Sequence, residues 1–175
     1  MIIIPLYPIV FLQAAHNGQL QLLKKSAASL DCVLGGGGIH AILENAKDEH
    51  GRCAIHYAAT SGRINVLNYL IEEMGLDIDI QDGFGKTPLS RASIEGYLAA
   101  VEYLLAMGAN PEILDGSDTS PLHYVAMKGR KDFIPLLLSK GSNVDVINGF
   151  GSPLQYAATA GEHDTVKVLL DHGAN

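Results

Sequence analysis

Apolar residues in this chain recur in short runs that return at a fixed interval. The runs "VLNYLI" (66–71), "VEYLL" (101–105), "FIPLLL" (133–138) and "VKVLL" (166–170) each carry the spacing of one helix face. Ahead of each lies a second run built on small apolar residues: "CAIHYAATSG" (53–62), "TPLSRASIEG" (87–96), "SPLHYVAMKG" (120–129) and "SPLQYAATAG" (152–161). Their closing glycines, Gly62, Gly96, Gly129 and Gly161, are spaced by 34, 33 and 32 residues. A second series, Gly75, Gly108, Gly141 and Gly173, is spaced by 33, 33 and 32. Two landmarks with one period define a repeat array, whose unit cannot bury its apolar face alone and needs several copies stacked together.

Local rules predict the content of each unit. Thr87, Ser120 and Ser152 are hydroxyl N-caps, each followed by proline at the first helical position, where a missing N–H costs nothing. The short helix that starts there runs over paired small residues such as Ala58-Ala59 and Ala157-Ala158, which permit close helix approach. It ends at a glycine free to take the left-handed conformation. A second, more apolar helix follows and ends at the second glycine; the links, such as "NPEILDGSDTS", are rich in Asp, Asn and Gly and predict an extended turn. The expected fold is all-α: a solenoid of about five helix-turn-helix repeats with protruding loops. The boundaries are a partial repeat at 11–47 holding an insertion at 34–48, then repeats at 48–81, 82–114, 115–147 and 148–175.

Composition narrows the function. A hydrophobic fraction of 47% over 175 residues supports a folded core. The net charge of −7 provides no basic stripe for phosphates, so nucleic acid is not an expected partner and a neutral or basic protein surface is. Two cysteines, Cys32 and Cys53, are too few for a disulfide framework or a four-cysteine zinc site, which points to a reducing compartment, cytoplasm or nucleus. The apolar start "MIIIPLYPIVFL" lacks a basic flank, carries Pro5 and Pro8 and is too short to span a bilayer. It reads as a lead-in over residues 1–10 whose end merges with a first helix in "FLQAAHNGQLQLL" (11–23), and no membrane is expected as a partner.

The phrase formed by Asp82, Gly85, Thr87-Pro88-Leu89, Gly96, Leu104-Leu105 and Gly108-Ala109-Asn110 resembles the ankyrin repeat motif, and near-matches cover about residues 11–175. His56 and His123 match the motif histidine, which the resemblance implies ties the turn together. Ser90 and Gln155 replace that histidine and Cys53-Ala54 replaces Thr-Pro, so the polar tie is expected to be weaker in those repeats. Pro135, early in a second helix, predicts a slight bend. Between Gly18 and Gly62 the spacing is 44, and the excess "LGGGGIHAILENAKD" (34–48) reads as a flexible joint followed by a short helix. The final "DHGAN" has no closing hairpin, so Val166, Val168, Leu169 and Leu170 are expected to pack on one side only, as in a piece of a longer protein or one with a covered end. The elongated first loop and Leu76-Asp77-Ile78-Asp79 look like plant ankyrin proteins that carry tetratricopeptide repeats, which would imply a link to chaperones.

Candidate chemistry does not accumulate. "GFGKT" (83–87) lacks the first glycine of a phosphate-binding loop, since position 80 is Ile80; "GGGG" (35–38) has no Lys-Ser/Thr after it. His50, Cys53 and His56 lie close in sequence, but Cys53 stands at a cap and His56 at the motif histidine, with no fourth ligand or orienting carboxylate in register. No catalytic residue, metal or cofactor is expected. The expected function is a non-catalytic adaptor that binds a protein partner, with a regulatory or targeting arm of a larger enzyme, channel or co-chaperone as the alternative. The resemblance places binding on a concave face and the loop tips: Glu49, His50, Arg52, Thr60 and Ser61; Phe84, Lys86, Ile94 and Glu95; Ser117, Thr119, Met127 and Lys128; Phe150 and Thr159. Phe84 and Phe150, each between glycines, either present their rings as apolar anchors to a partner or fold them back onto the neighbouring loop. Tyr57, Tyr124 and Tyr156 share a register with Arg91 and are expected to pack with hydroxyls in water.

Overall fold

The computed structural model describes residues 7–33 and 38–175, and all of its regular elements are helical apart from one isolated bridge. Five short inner helices stack side by side: α1 (Tyr7–Asn17), α4 (Ala54–Thr60), α6 (Pro88–Glu95), α8 (Pro121–Met127) and α10 (Pro153–Ala160). Each is followed by an outer segment packed against it: α2 (Leu20–Val33), α5 (Ile64–Asn68), α7 (Leu98–Ala106), α9 (Ile134–Ser139) and α11 (His163–Asp171). Helix α3 (Ile39–Asn45) is additional and packs on α2, burying Leu43 completely. The short helix expected in the insertion is therefore present, while residues 34–37 of the expected joint lie outside the described residues. Helix α1 already holds Tyr7–Val10, ahead of the motif phrase that starts at Phe11.

The caps behave as local rules require. Thr87, Ser120 and Ser152 accept from the backbone N–H groups of Ser90, His123 and Gln155. Gly96 and Gly161 terminate α6 and α10 at φ 87° and 76°. Two outer segments depart from a regular helix. After α5 the chain widens into a π-turn at Tyr69–Glu73, and Pro135 follows a 3-10 turn at Lys131–Phe133 that tightens the start of its segment.

Burial follows register. Leu70, Leu104, Leu137 and Leu169 stand eight residues after successive inner glycines and are all fully buried. Each such leucine contributes about 2 kcal/mol of transfer free energy. Leu169 thus corrects the expectation that it packs on one side only; Leu170 is the exposed one, at 52%. Its neighbours Val166 and Val168 are half-buried.

Candidate partner-binding face

Three carboxylates organise the projecting hairpins. Asp48 Oδ1 accepts from the backbone N–H of His50 and Arg52 at 2.9 and 2.8 Å, Asp82 Oδ1 from Phe84 and Lys86 at 2.9 and 3.0 Å, and Asp115 Oδ1 from Ser117 and Thr119 at 2.9 and 3.1 Å. The second oxygen of each reaches nine residues on. Asp48 takes the Tyr57 hydroxyl at 2.9 Å, Asp82 the Arg91 guanidinium, and Asp115 the Tyr124 hydroxyl at 2.5 Å. The Tyr57 and Tyr124 hydroxyls are therefore bonded to the hairpins rather than left to water, which corrects that expectation. In the fourth hairpin neutral Asn148 replaces the acid and shares hydrogen bonds with Tyr156.

These contacts set the charge states. Burial pushes the Asp48 carboxyl up, but hydrogen bonds from Arg52, Tyr57 and the His50 backbone outweigh it and hold the group at about 2. Asp82 and Asp115 are likewise lowered, against burial, by Arg91 and by Lys86 respectively. Lys86 reaches across to the next repeat, 2.5 Å from Asp115 Oδ2, so it joins two hairpins.

His56 makes the second tie between repeats. Its Nδ1 accepts the Cys53 N–H at 3.3 Å and lies 3.2 Å from the thiol; its Nε2 is 3.1 Å from the carbonyls of Ile80 and Lys86. With Nδ1 accepting, Nε2 must carry the proton. The Cys53 repeat is thus fully tied, contrary to the expected weakening. His123 repeats the arrangement toward Gly151 at 3.1 Å. Ser90 bonds only within its own cap, where Thr87 Oγ1 donates to it, and Gln81 supplies the crossing bond instead, to the Leu114 carbonyl at 3.2 Å. Gln155 serves its own cap, accepting from the Ser152 N–H at 2.8 Å.

The expected contact residues divide accordingly. Arg52 is held by Asp48 and Lys86 by Asp115, while Ser61 is buried against His16 and Thr119 is buried in its hairpin. Glu49, His50, Glu95, Ser117, Lys128 and Thr159 are exposed; Thr60, Ile94 and Met127 are half-buried. The Phe84 ring, 52% exposed, leans against the His50 ring at 5.5 Å and lies near the Arg91 guanidinium. Phe150 is 81% exposed and borders a groove of about 440 Å³ with Met127, Gln155, Tyr156, Thr159 and Ala160. Tyr156 and Gln155, which pattern reasoning left out of the face, complete that groove; Ala160 could be found only from the packing.

Among the described residues no group of three or more His, Cys, Asp or Glu side chains is placed to hold a metal ion, and no helix is long and apolar enough to cross a membrane. Burial raises the Cys53 thiol, so the Cys53–His56 pair is a cap and a tie rather than an activated nucleophile.

Stacked helix pairs with projecting hairpins define a repeat solenoid, a class that presents extended binding surfaces. A family model described as ankyrin repeats, three copies, matches residues 11–115 and again 89–175. The chain belongs to the ankyrin-repeat family. Ankyrin repeats generally mediate protein–protein interaction, and the family is a non-catalytic interaction module. The chain is similar to mitochondrial liver-isoform glutaminase of Rattus norvegicus, 31% identical over 91 residues that make up 52% of this chain and 13% of that protein. It is also similar to 26S proteasome non-ATPase regulatory subunit 10 of Dictyostelium discoideum, 36% identical over 61 residues, 35% of this chain and 26% of that protein. The matched segments thus cover about a quarter or less of these relatives.

Proposed function

We propose that this chain is a non-catalytic adaptor that holds a protein partner against its inner helices and hairpin tips, with Phe84, Ile94, Met127 and Phe150 as apolar anchors. The observation that carries this reading is Phe150, a large ring 81% exposed at the rim of a groove. A phenylalanine so placed contributes little to folding, whereas buried in a partner's surface it is worth a large share of an interface. The cytoplasm or nucleus is the expected setting.

The test is affinity capture from cell extract with the wild-type chain beside a Phe84→Ala/Met127→Ala/Phe150→Ala variant whose thermal unfolding matches the wild type. The reading expects a defined protein captured by the first and lost from the second. Identical captures would remove these residues from the binding surface.

A second reading, a regulatory or targeting domain of a larger enzyme, channel or co-chaperone, is favoured by the similarity of 52% of this chain to a segment making up 13% of a much longer enzyme. Sequencing the complete transcript decides it: a catalytic, membrane or tetratricopeptide region in the same frame supports this reading, and a frame confined to ankyrin repeats removes it.

A further inference from the structure

The hairpin tips are joined by backbone hydrogen bonds, and the series is interrupted. The Gly83 N–H donates to the His50 carbonyl at 2.7 Å and the Gly116 N–H to the Phe84 carbonyl at 2.9 Å. The corresponding bond from Gly149 to Ser117 is missing among the described residues. The cause is visible in the sequence: Asp82 to Thr87 and Asp115 to Ser120 each span one residue more than Asn148 to Ser152. The shorter turn closes on itself, with Asn148 and Gly151 exchanging backbone bonds at 3.2 and 3.1 Å. Its side-on link to the third hairpin is the Asn148 amide donating to Thr119 Oγ1 at 3.1 Å.

Two consequences follow. Phe150 stands free, with Ser117 in the place where His50 backs the Phe84 ring, and the groove opens between α8, α10 and this hairpin. At the same break, the exposed Gly149 keeps its N–H free, and the Ser117 carbonyl takes only the Thr119 hydroxyl, at 3.2 Å. An apolar cleft beside a free backbone donor and acceptor fits an extended peptide, whose main chain supplies both bonds while one side chain fills the cleft.

Charge selects the flanks of that peptide. On the hairpins, the inner helices and the residues that adjoin them, Arg52, Arg91 and Lys86 are neutralised by Asp48, Asp82 and Asp115, whereas Glu49, Glu95 and Asp118 are exposed against the exposed Lys47 and Lys128. The whole chain carries −7. We infer that the groove beside Phe150 is a subsite for one large apolar side chain of an extended, basic protein segment. This rests on the proposal that the inner-helix face is the binding face.

The experiment pans a phage-displayed library of random peptides, about twelve residues long, against the complete chain, then measures fluorescence anisotropy of labelled, enriched peptides. Thr159→Trp fills the groove from an exposed position; Ala160→Leu serves the same purpose should the first variant unfold differently from wild type. Phe84→Ala tests the face away from the groove. The expected peptides carry one Phe, Trp, Leu or Met between Lys or Arg residues, and lose affinity about tenfold or more with the filled groove, against about twofold or less with Glu102→Ala, exposed on the outer segment α7. Peptides weakened by Phe84→Ala but indifferent to the filled groove would overturn the subsite and leave the binding face standing. Peptides indifferent to both kinds of variant would overturn both. Enrichment of acidic flanks, or of no binding peptide, would overturn the subsite.

Discussion

Arg130 lies over Gly96: its guanidinium donates to the Ile94 carbonyl at 2.9 Å and fills the space a Cβ on Gly96 would need. The same stacking places Arg63 over Gly18, Tyr97 over Gly62 and Glu162 over Gly129. Each glycine ends an inner helix, and the residue after the next such glycine roofs it. Gly96→Ala should therefore cost about 2 kcal/mol or more, through strain at positive φ together with displacement of Arg130. Gly161→Ala meets no neighbour within 4 Å and should cost only the backbone strain, about 1 kcal/mol. Urea unfolding of the two variants checks the ordering.

Ser93 occupies the register of Ala59 and Ala126, fully buried, with its hydroxyl lacking a hydrogen-bond partner. Ser93→Ala removes an unsatisfied polar atom at constant shape and should stabilise the chain by about 1 kcal/mol. A rise in the urea midpoint at unchanged m-value is the expected result.

Asp115 is a junction whose side chain is 1% exposed and holds Lys86, Tyr124 and two backbone N–H groups. Asp115→Ala strands the Lys86 ammonium, which is itself mostly buried, and should cost about 3 kcal/mol. Hydrogen exchange should show faster opening at 82–86 as well as at 115–119, because the pair spans two hairpins.

The fold is also sensitive to acid. Burial lowers His56, incompletely offset by the Asp82 charge and the accepting carbonyls, so it titrates at about 4 against 6.5 for the ordinary side chain. The unfolded chain thus binds this proton first. The stability contribution is full above about pH 6.5 and declines as pH falls toward 4, and the loss amounts to about 3 kcal/mol by the end of that window. His123, lowered chiefly by burial, acts in the same direction. His56→Gln should be less stable than wild type at pH 7.5 and show a shallower loss between pH 6.5 and 4.5, read by thermal unfolding. The loss at Asp48, whose pKa is about 2 folded and 3.8 ordinarily, begins only below that window.

What was legible without coordinates depended on interactions local in sequence. The hydroxyl-Pro caps at Thr87, Ser120 and Ser152 act within one turn, and the left-handed glycines act at one residue, so pattern reading locates α6, α8 and α10 to within about a residue. The roles of Arg52, Lys86 and Ser61 were not legible. Each has a polar side chain on a segment that faces out in a single unit, and only the hydrogen-bond network decides whether it is free. Lys86 is taken by a carboxylate 29 residues away, and Ser61 by a histidine 45 residues away.

The sequence by itself determined the period, the all-helical class, the family and the chain positions of the hairpins, because backbone capping and helix periodicity are short-range forces written in consecutive residues. Tertiary structure decided which of those hairpins bond to one another. A turn shortened by one residue between Asn148 and Ser152 is a minor change in the string, yet hydrogen-bond register between neighbouring hairpins tolerates no such slip. Phe150 is released and the groove beside Met127 opens because stacking of one repeat on the next, which no single repeat encodes, fixes what each tip can reach.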